Sequence, residues 1–143
     1  MSVSELQRED RGQSSVVILG MLVILLLTAA VVAGATAVNL EARKLLSAAD
    51  GASSAAAQSA SAAGASPSLS ENQVRAAAQD YLSDSGAYQR FTAVEITQAS
   101  TADGGATAQV ELAAAVELPI LSWVLPAQVT VTAESHARVS LNR

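Results

Sequence analysis

The pattern of hydrophobic and polar positions divides the chain into one long apolar run, a small-residue helical stretch and a set of alternating segments. Residues 16–38 contain Val, Ile, Leu, Ala, Gly, Met and Thr, with no charged side chain. About 20 apolar residues suffice for a helix to cross the hydrocarbon core of a bilayer. The pattern therefore predicts a transmembrane helix over residues 16–38, preceded by a leader at residues 1–15, and the lipid bilayer as its first partner.

A cleavable signal peptide is the main alternative to a permanent anchor. Its apolar region spans only about 7 to 15 residues and follows a basic segment, whereas the first 12 residues here carry three acidic and two basic side chains. Ala33-Gly34-Ala35 and Ala35-Thr36-Ala37 nevertheless match the small-x-small form that signal peptidase accepts. Anchoring is the main prediction, and a secreted domain released after Ala35 or Ala37 stays open as an alternative.

The same small residues form a candidate helix-packing surface. Ala29, Ala33 and Ala37 recur four residues apart, as do Ala30 and Gly34. Small side chains at this spacing let two membrane helices approach closely.

The basic residues that flank the apolar run do not set its orientation. Arg8 and Arg11 on one side balance Arg43 and Lys44 on the other, and orientation follows the excess of such residues. Residues 39–66 continue in helix-forming Ala, Leu, Arg and Lys, weakened by Gly51. We expect a helical stalk there, giving with the apolar run a helix roughly 75 Å long. An unstructured Ala/Ser linker over residues 53–66 fits the composition equally well.

Residues 67–143 show the pattern of a small α+β domain. Ser70 and Gln73 have capping-box spacing and predict a helix to Leu82, after which apolar positions alternate in residues 91–98, 107–118 and 129–141. Asp103-Gly104-Gly105 suits the turn of an antiparallel hairpin. We predict three antiparallel strands whose apolar face is covered by the helix at residues 70–82, the only amphipathic helix available.

An apolar segment bracketed by prolines, residues 118–126, joins the second and third predicted strands. Ile120, Leu121 and Trp123 either fold back as part of the core or form an exposed contact for a partner protein or a membrane surface. Both interpretations stay open.

Composition narrows the chemistry. The chain has no Cys, one His and a formal net charge of -5, so we expect no disulfide, no zinc site and no nucleic-acid partner. No paired carboxylates, phosphate-binding loop or nucleophile and base order is present. We therefore predict a protein that is not an enzyme and that has no cofactor and no small-molecule substrate, with His136 an ordinary surface residue and Asp50 a solubilising acid.

Several segments resemble TadE/TadG-like proteins of the Tad (tight adherence, Flp) pilus system, in the Ala-rich style of the actinobacterial branch. They are the leader at residues 10–16, the apolar helix, residues 45–52, Val74-Arg75-Ala76-Ala77, the strand at 107–118, the loop at 119–125 and residues 129–133. The resemblance implies a membrane-anchored minor pilin or pseudopilin-like factor for pilus assembly or secretion. It also implies a cytoplasmic N-terminus, an extracytoplasmic domain, and other pilins or Tad assembly proteins as partners of the N-terminal helix.

One position departs from the pattern of related pilins. Gly12 is the candidate processing site, but Val17 stands where those pilins carry a glutamate at the fifth mature position. A role without polymerisation therefore fits better than that of a major pilin. A bitopic envelope protein that binds or regulates a partner is the alternative to a role in pili.

Overall fold

The computed structural model describes residues 3–62, 68–118 and 128–140. Its elements are helices α1 (Val3–Ala62), α2 (Glu71–Asp84) and α3 (Ala87–Arg90), and strands β1 (Thr92–Ala102), β2 (Thr107–Glu117) and β3 (Gln128–Arg138). The predicted α+β class is confirmed: a long apolar helix precedes a short helix and a three-stranded antiparallel sheet. The chain divides into two compact units, Met1–Thr36 and Ala37–Arg143.

The first unit is the apolar part of α1. Its large hydrophobic side chains from Val16 to Val32 are each at least 47% exposed. The hydroxyl groups of Thr28 and Thr36 donate to the carbonyls of Ile24 and Val32, four residues back. These polar groups are thus satisfied within the helix, as an apolar solvent requires.

The second unit is built on a sheet with strand order β1-β2-β3. β2 and β3 pair without interruption from Thr107 opposite Arg138 to Glu117 opposite Gln128. Alternate residues of β2 face the core, and Val110 and Leu112 are fully buried. The predicted sheet of three antiparallel strands is confirmed.

β1 departs from simple alternation. Its register against β2 shifts between Thr92 and Glu95 and again between Ile96 and Gln98, and Ala93 has a positive φ of 51°. Each shift inserts an extra residue on β1. The two shifts break the alternation of apolar and polar residues on which the prediction depends. β1 therefore extends to Ala102, beyond the predicted segment, which ends at residue 98.

The turn between β1 and β2 needs glycine for two reasons. Gly105 has φ +91°, and a Cβ atom there would lie 2.8 Å from the backbone nitrogen of Leu69. That nitrogen donates to the Gly105 carbonyl at 3.0 Å. Through this hydrogen bond the turn also fixes the segment that leads into α2.

The predicted capping box of α2 is confirmed. The Gln73 N–H donates to the Ser70 hydroxyl, and the Gln73 side-chain oxygen accepts from the Ser70 N–H. The short helix α3, which was not predicted, follows Gly86 in the left-handed conformation.

The core corrects the expectation that α2 alone covers the sheet. The segment expected to be a stalk contributes buried side chains to the same cluster as α2 and the strands, and its residues 63–66 lie outside the described part of the chain. From α1 these are Leu45, Ala48, Ala49, Ala52 and Ala56; from the other elements they include Val74, Ala78, Leu82, Val94, Val110, Leu112, Ala114 and Ala133. Most of the buried α1 residues are alanines, and their small side chains allow the helix to approach the other elements closely.

Candidate functional site

The apolar helix is the first candidate site. Within the described residues, one helix is long and apolar enough to cross a membrane, by length and composition, and its most apolar stretch is wholly unburied. That stretch belongs to α1 between Gln13 and Ser61. The predicted span at residues 16–38 therefore lies on a helix that exposes its apolar side chains.

The predicted helix-packing residues fall on more than one part of α1. Ala29 and Ala33 lie on one open apolar face together with Met21, Leu25 and Val32.

The three other predicted packing residues are placed differently. Ala30 and Gly34 are half-buried positions of the same helix, and Ala37 begins the second unit. The structure thus groups two of the five predicted residues on the open face.

A polar cluster in the second unit joins α1 to β3. The Ser135 hydroxyl donates to the Asp50 carboxylate at 2.5 Å, and the Ser53 hydroxyl lies 3.2 Å from that of Ser135 while donating to the Asp50 carbonyl at 3.1 Å. Ser53 and Ser135 are buried. Asp50, predicted to be only a solubilising acid, thus binds the third strand. One signal was in the sequence, because Ser135 is the polar exception on the apolar face of β3.

Asp50, Ser135 and His136 together do not form a catalytic triad. Neighbouring residues of a strand point to opposite faces of the sheet; Ser135 is buried, whereas His136 is exposed and lies opposite Gln109 of β2. The imidazole is therefore on the other side of the sheet from the hydroxyl. The direct hydrogen bond to a carboxylate positions Ser135 for packing and gives it no imidazole base.

A second polar cluster closes the hairpin of β1 and β2. The Asp103 carboxylate accepts from the Thr107 hydroxyl at 2.9 Å and from the Arg138 guanidinium at 3.3 Å. The hydrogen bond from Thr107, and then the bond and positive charge of Arg138, lower the pKa of Asp103 below its ordinary value of 3.8. The cluster ties the turn to the end of β3.

Gly51 lies where α1 meets α2. A Cβ atom at Gly51 would overlap the Tyr81 ring, with its hydroxyl oxygen 2.1 Å away. The sequence alone indicates only that Gly51 weakens the helix. It does not reveal the steric requirement set by Tyr81, because the contact spans 30 positions.

Two other sets of predicted residues lie outside the side chains that the structure describes. Ile120, Leu121 and Trp123 lie outside the described residues. Gly12 lies within α1, before the side chains that are described.

The comparisons with known proteins identify no relative of this chain. No protein-family model, curated protein or solved structure matches the chain. Among the described residues, no group of three or more His, Asp or Glu side chains is placed to hold a metal ion.

Proposed function

We propose that this chain is a membrane-anchored minor pilin or pseudopilin-like factor, without enzymatic activity, of a Tad/Flp-type pilus assembly or secretion system. The observation that carries the proposal is the composition of α1. The helix exposes an apolar run and, from Leu45 onward, contributes side chains to the core of the second unit. A membrane helix that is also a core element of its own domain suits a subunit that works by lateral packing.

The proposed mechanism is mechanical. The apolar part of α1 inserts among lipids and the helices of other subunits, for which the face with Ala29 and Ala33 offers close approach. The second unit then caps, primes or docks a growing filament. The cytoplasmic N-terminus and extracytoplasmic domain in this proposal come from the resemblance to TadE/TadG-like proteins.

The polar clusters support a structural interpretation of the second unit. Asp50 with Ser53 and Ser135 joins helix to strand, and Asp103 with Thr107 closes a hairpin. Both sets are explained by packing and turn geometry. This supports the proposal of a protein that is not an enzyme.

Gene deletion with matched complementation tests the proposal in the native bacterium. Deletion should abolish Tad pili in electron micrographs, and the wild-type gene should restore them. Leu25→Asp with Leu26→Asp should fail to restore them, because two acids in the apolar run oppose insertion by about 5 kcal/mol or more.

The control carries the same two acids on the same helix. Ser54→Asp with Gln58→Asp changes exposed side chains of α1 in the second unit, so it should restore pili. Unchanged pili in the deletion strain would refute the proposal and favour the binding or regulatory alternative.

The mass of the mature protein from native cells tests the anchor separately. A start at Met1 or Ser2 supports a permanent anchor without polymerisation. A start at Gln13 would show processing after Gly12 despite Val17 and favour a place in the filament. A start at Thr36 or Val38 would show a released domain and contradict the anchor.

A further inference from the structure

Two adjacent cations follow the apolar run at the start of the second unit. Arg43 and Lys44 are exposed. They precede Leu45, the first buried residue among the α1 side chains that the structure describes. Neither cation therefore contributes to the core.

Both side chains lean toward the N-terminus of α1. The Arg43 Nε donates to the Asn39 side-chain oxygen at 3.0 Å, and the Lys44 Nζ lies 3.1 Å from a Glu41 carboxylate oxygen. Long side chains on a helix generally lean this way. The positive charges consequently lie at the level of Asn39 and Glu41, about a turn before their own Cα atoms.

That level corresponds to the headgroup layer of a membrane. Asn39 and Glu41 follow Val38, the last residue of the apolar run, by one and three residues, which is about 1.5 and 4.5 Å of helix rise. The polar layer on each side of a bilayer is roughly 5 to 8 Å thick. If residues 16–38 span the hydrocarbon core, both cations fall among the lipid phosphates.

The neighbouring side chains Asn39 and Glu41 do not fully neutralise these two positive charges, so both cations can still bind a lipid phosphate. Asn39 is neutral, so the charge of Arg43 is not compensated, and a guanidinium binds phosphate oxygens in pairs. Lys44 shares its charge with Glu41, but the Lys44 side chain is 55% exposed and such surface pairs are weak. Arg43 is therefore the stronger of the two candidates for a phosphate contact.

We propose that Arg43, assisted by Lys44, binds the phosphate groups of anionic phospholipids and thereby fixes the depth of α1 in the membrane. The inference rests on the proposed membrane anchor. It adds a lipid contact of stated chemistry to a helix otherwise held by apolar burial. Each cation near an anionic surface favours that position about fivefold.

A spin label tests the depth directly in the full-length protein. The chain has no cysteine, so Leu40→Cys provides a single attachment point, one turn before Lys44. The protein is placed in vesicles of phosphatidylglycerol or of phosphatidylcholine, and label depth is measured from collisions with oxygen and with a nickel chelate. We expect the label to lie deeper in phosphatidylglycerol.

The charge variants then identify the residues responsible. Arg43→Gln with Lys44→Gln should move the label outward in phosphatidylglycerol by roughly 1.5 to 3 Å, one to two residues of helix rise, and remove the difference between lipids. Arg43→Gln alone should account for more of this shift than Lys44→Gln. The swap Arg43→Lys with Lys44→Arg should retain the wild-type depth.

The control is Arg90→Gln, which removes one positive charge from α3 and should leave the lipid dependence intact. A lipid dependence that survives in the double variant, or that disappears in the control, overturns the inference. Loss of the wild-type protein from vesicles in sodium carbonate would instead overturn the membrane anchor. Retention with an unchanged depth in the double variant overturns only the role of Arg43 and Lys44.

Discussion

At the scale of single residues, the second unit depends on places where one atom more would not fit. Gly51 has the Tyr81 ring directly against its backbone, whereas a Cβ atom at Gly20 in the apolar helix would meet nothing within 4 Å. These two glycines of one helix therefore differ in whether a larger residue can replace them. The first is fixed by a tertiary contact, and the second is free of steric constraint.

Gly51→Ala should destabilise the second unit by up to about 2 kcal/mol, which is the roughly 1 to 3 kcal/mol cost of displacing the Tyr81 ring less about 1 kcal/mol that alanine gains over glycine inside a helix. Gly20→Ala is the matched control and should leave this stability unchanged. Denaturant unfolding of the full chain in detergent micelles measures both. Combining Gly51→Ala with Tyr81→Leu should recover part of the loss, and a double variant no more stable than Gly51→Ala would contradict the contact as its cause.

Asp103 makes the stability of the second unit depend on acid. Its pKa is lowered in the folded state by the hydroxyl of Thr107 and the guanidinium of Arg138. The ionised form therefore stabilises the fold fully above about pH 4, the unfolded value. This contribution is lost as the pH falls through the lowered folded-state pKa.

Asp103→Asn should reduce this acid dependence, since an amide does not titrate and Asn tolerates the positive φ of 53° at this position. Thr107→Val should weaken the dependence by removing the first hydrogen bond. Unfolding midpoints measured between pH 5 and pH 2 check both variants. If the unfolding midpoint of Asp103→Asn fell as steeply with decreasing pH as that of the wild type, other titratable groups would be the cause of the acid dependence.

At the scale of elements, the sequence predicted those that have a local signal. The capping box at Ser70, the glycines after Asp103 and the alternation in β2 each act over a few residues, and each predicted element formed. The place of α1 in the core had no local signal. Its buried residues are mostly Ala, and their burial depends on the fit to α2 and to β3, which lie far away in sequence. The register shifts of β1 were missed for the same reason, since they are defined only against β2.

The contact of α1 with β3 depends on Ser135. Ser135→Ala should destabilise the second unit by about 1.5 to 3 kcal/mol, the range for a hydrogen bond to a charged group, because it removes the donor to the Asp50 carboxylate. Ser53→Ala combined with Ser135→Ala should cost less than the sum of the two, because their hydroxyls share one network. Ser54→Ala, on the exposed side of the same helix, is the control. Strict additivity in thermal or denaturant unfolding would contradict a shared network.

At the scale of the whole molecule, the two units differ in what they need from their surroundings. The first exposes its large apolar side chains from Val16 to Val32, while the second, in the part of the chain that the structure describes, buries its own core from Leu45 onward. A chain that begins at Ala37 therefore retains every residue of that core. A chain that begins at Ser54 loses Leu45, Ala48, Ala49, Ala52 and Ser53.

We expect the chain from Ala37 to fold without detergent, with the unfolding midpoint that the second unit has in the full protein. The chain from Ser54 should lack cooperative unfolding, because the sheet loses the buried side chains of α1 that cover it. Circular dichroism during thermal denaturation distinguishes the two. A folded chain from Ser54 would show that α2 alone covers the sheet.

The hydrogen bond between Ser53 and Ser135 joins residues 82 positions apart, and this separation sets a delay during synthesis on the ribosome. At about 5 to 20 residues per second, roughly 4 to 16 seconds pass between the emergence of the helix and that of its partner strand. For that interval the part of α1 around Ser53 lacks the strand against which it packs. Its alanines expose far less apolar area than leucines would, which lowers the risk of aggregation while the nascent chain waits for its last strand.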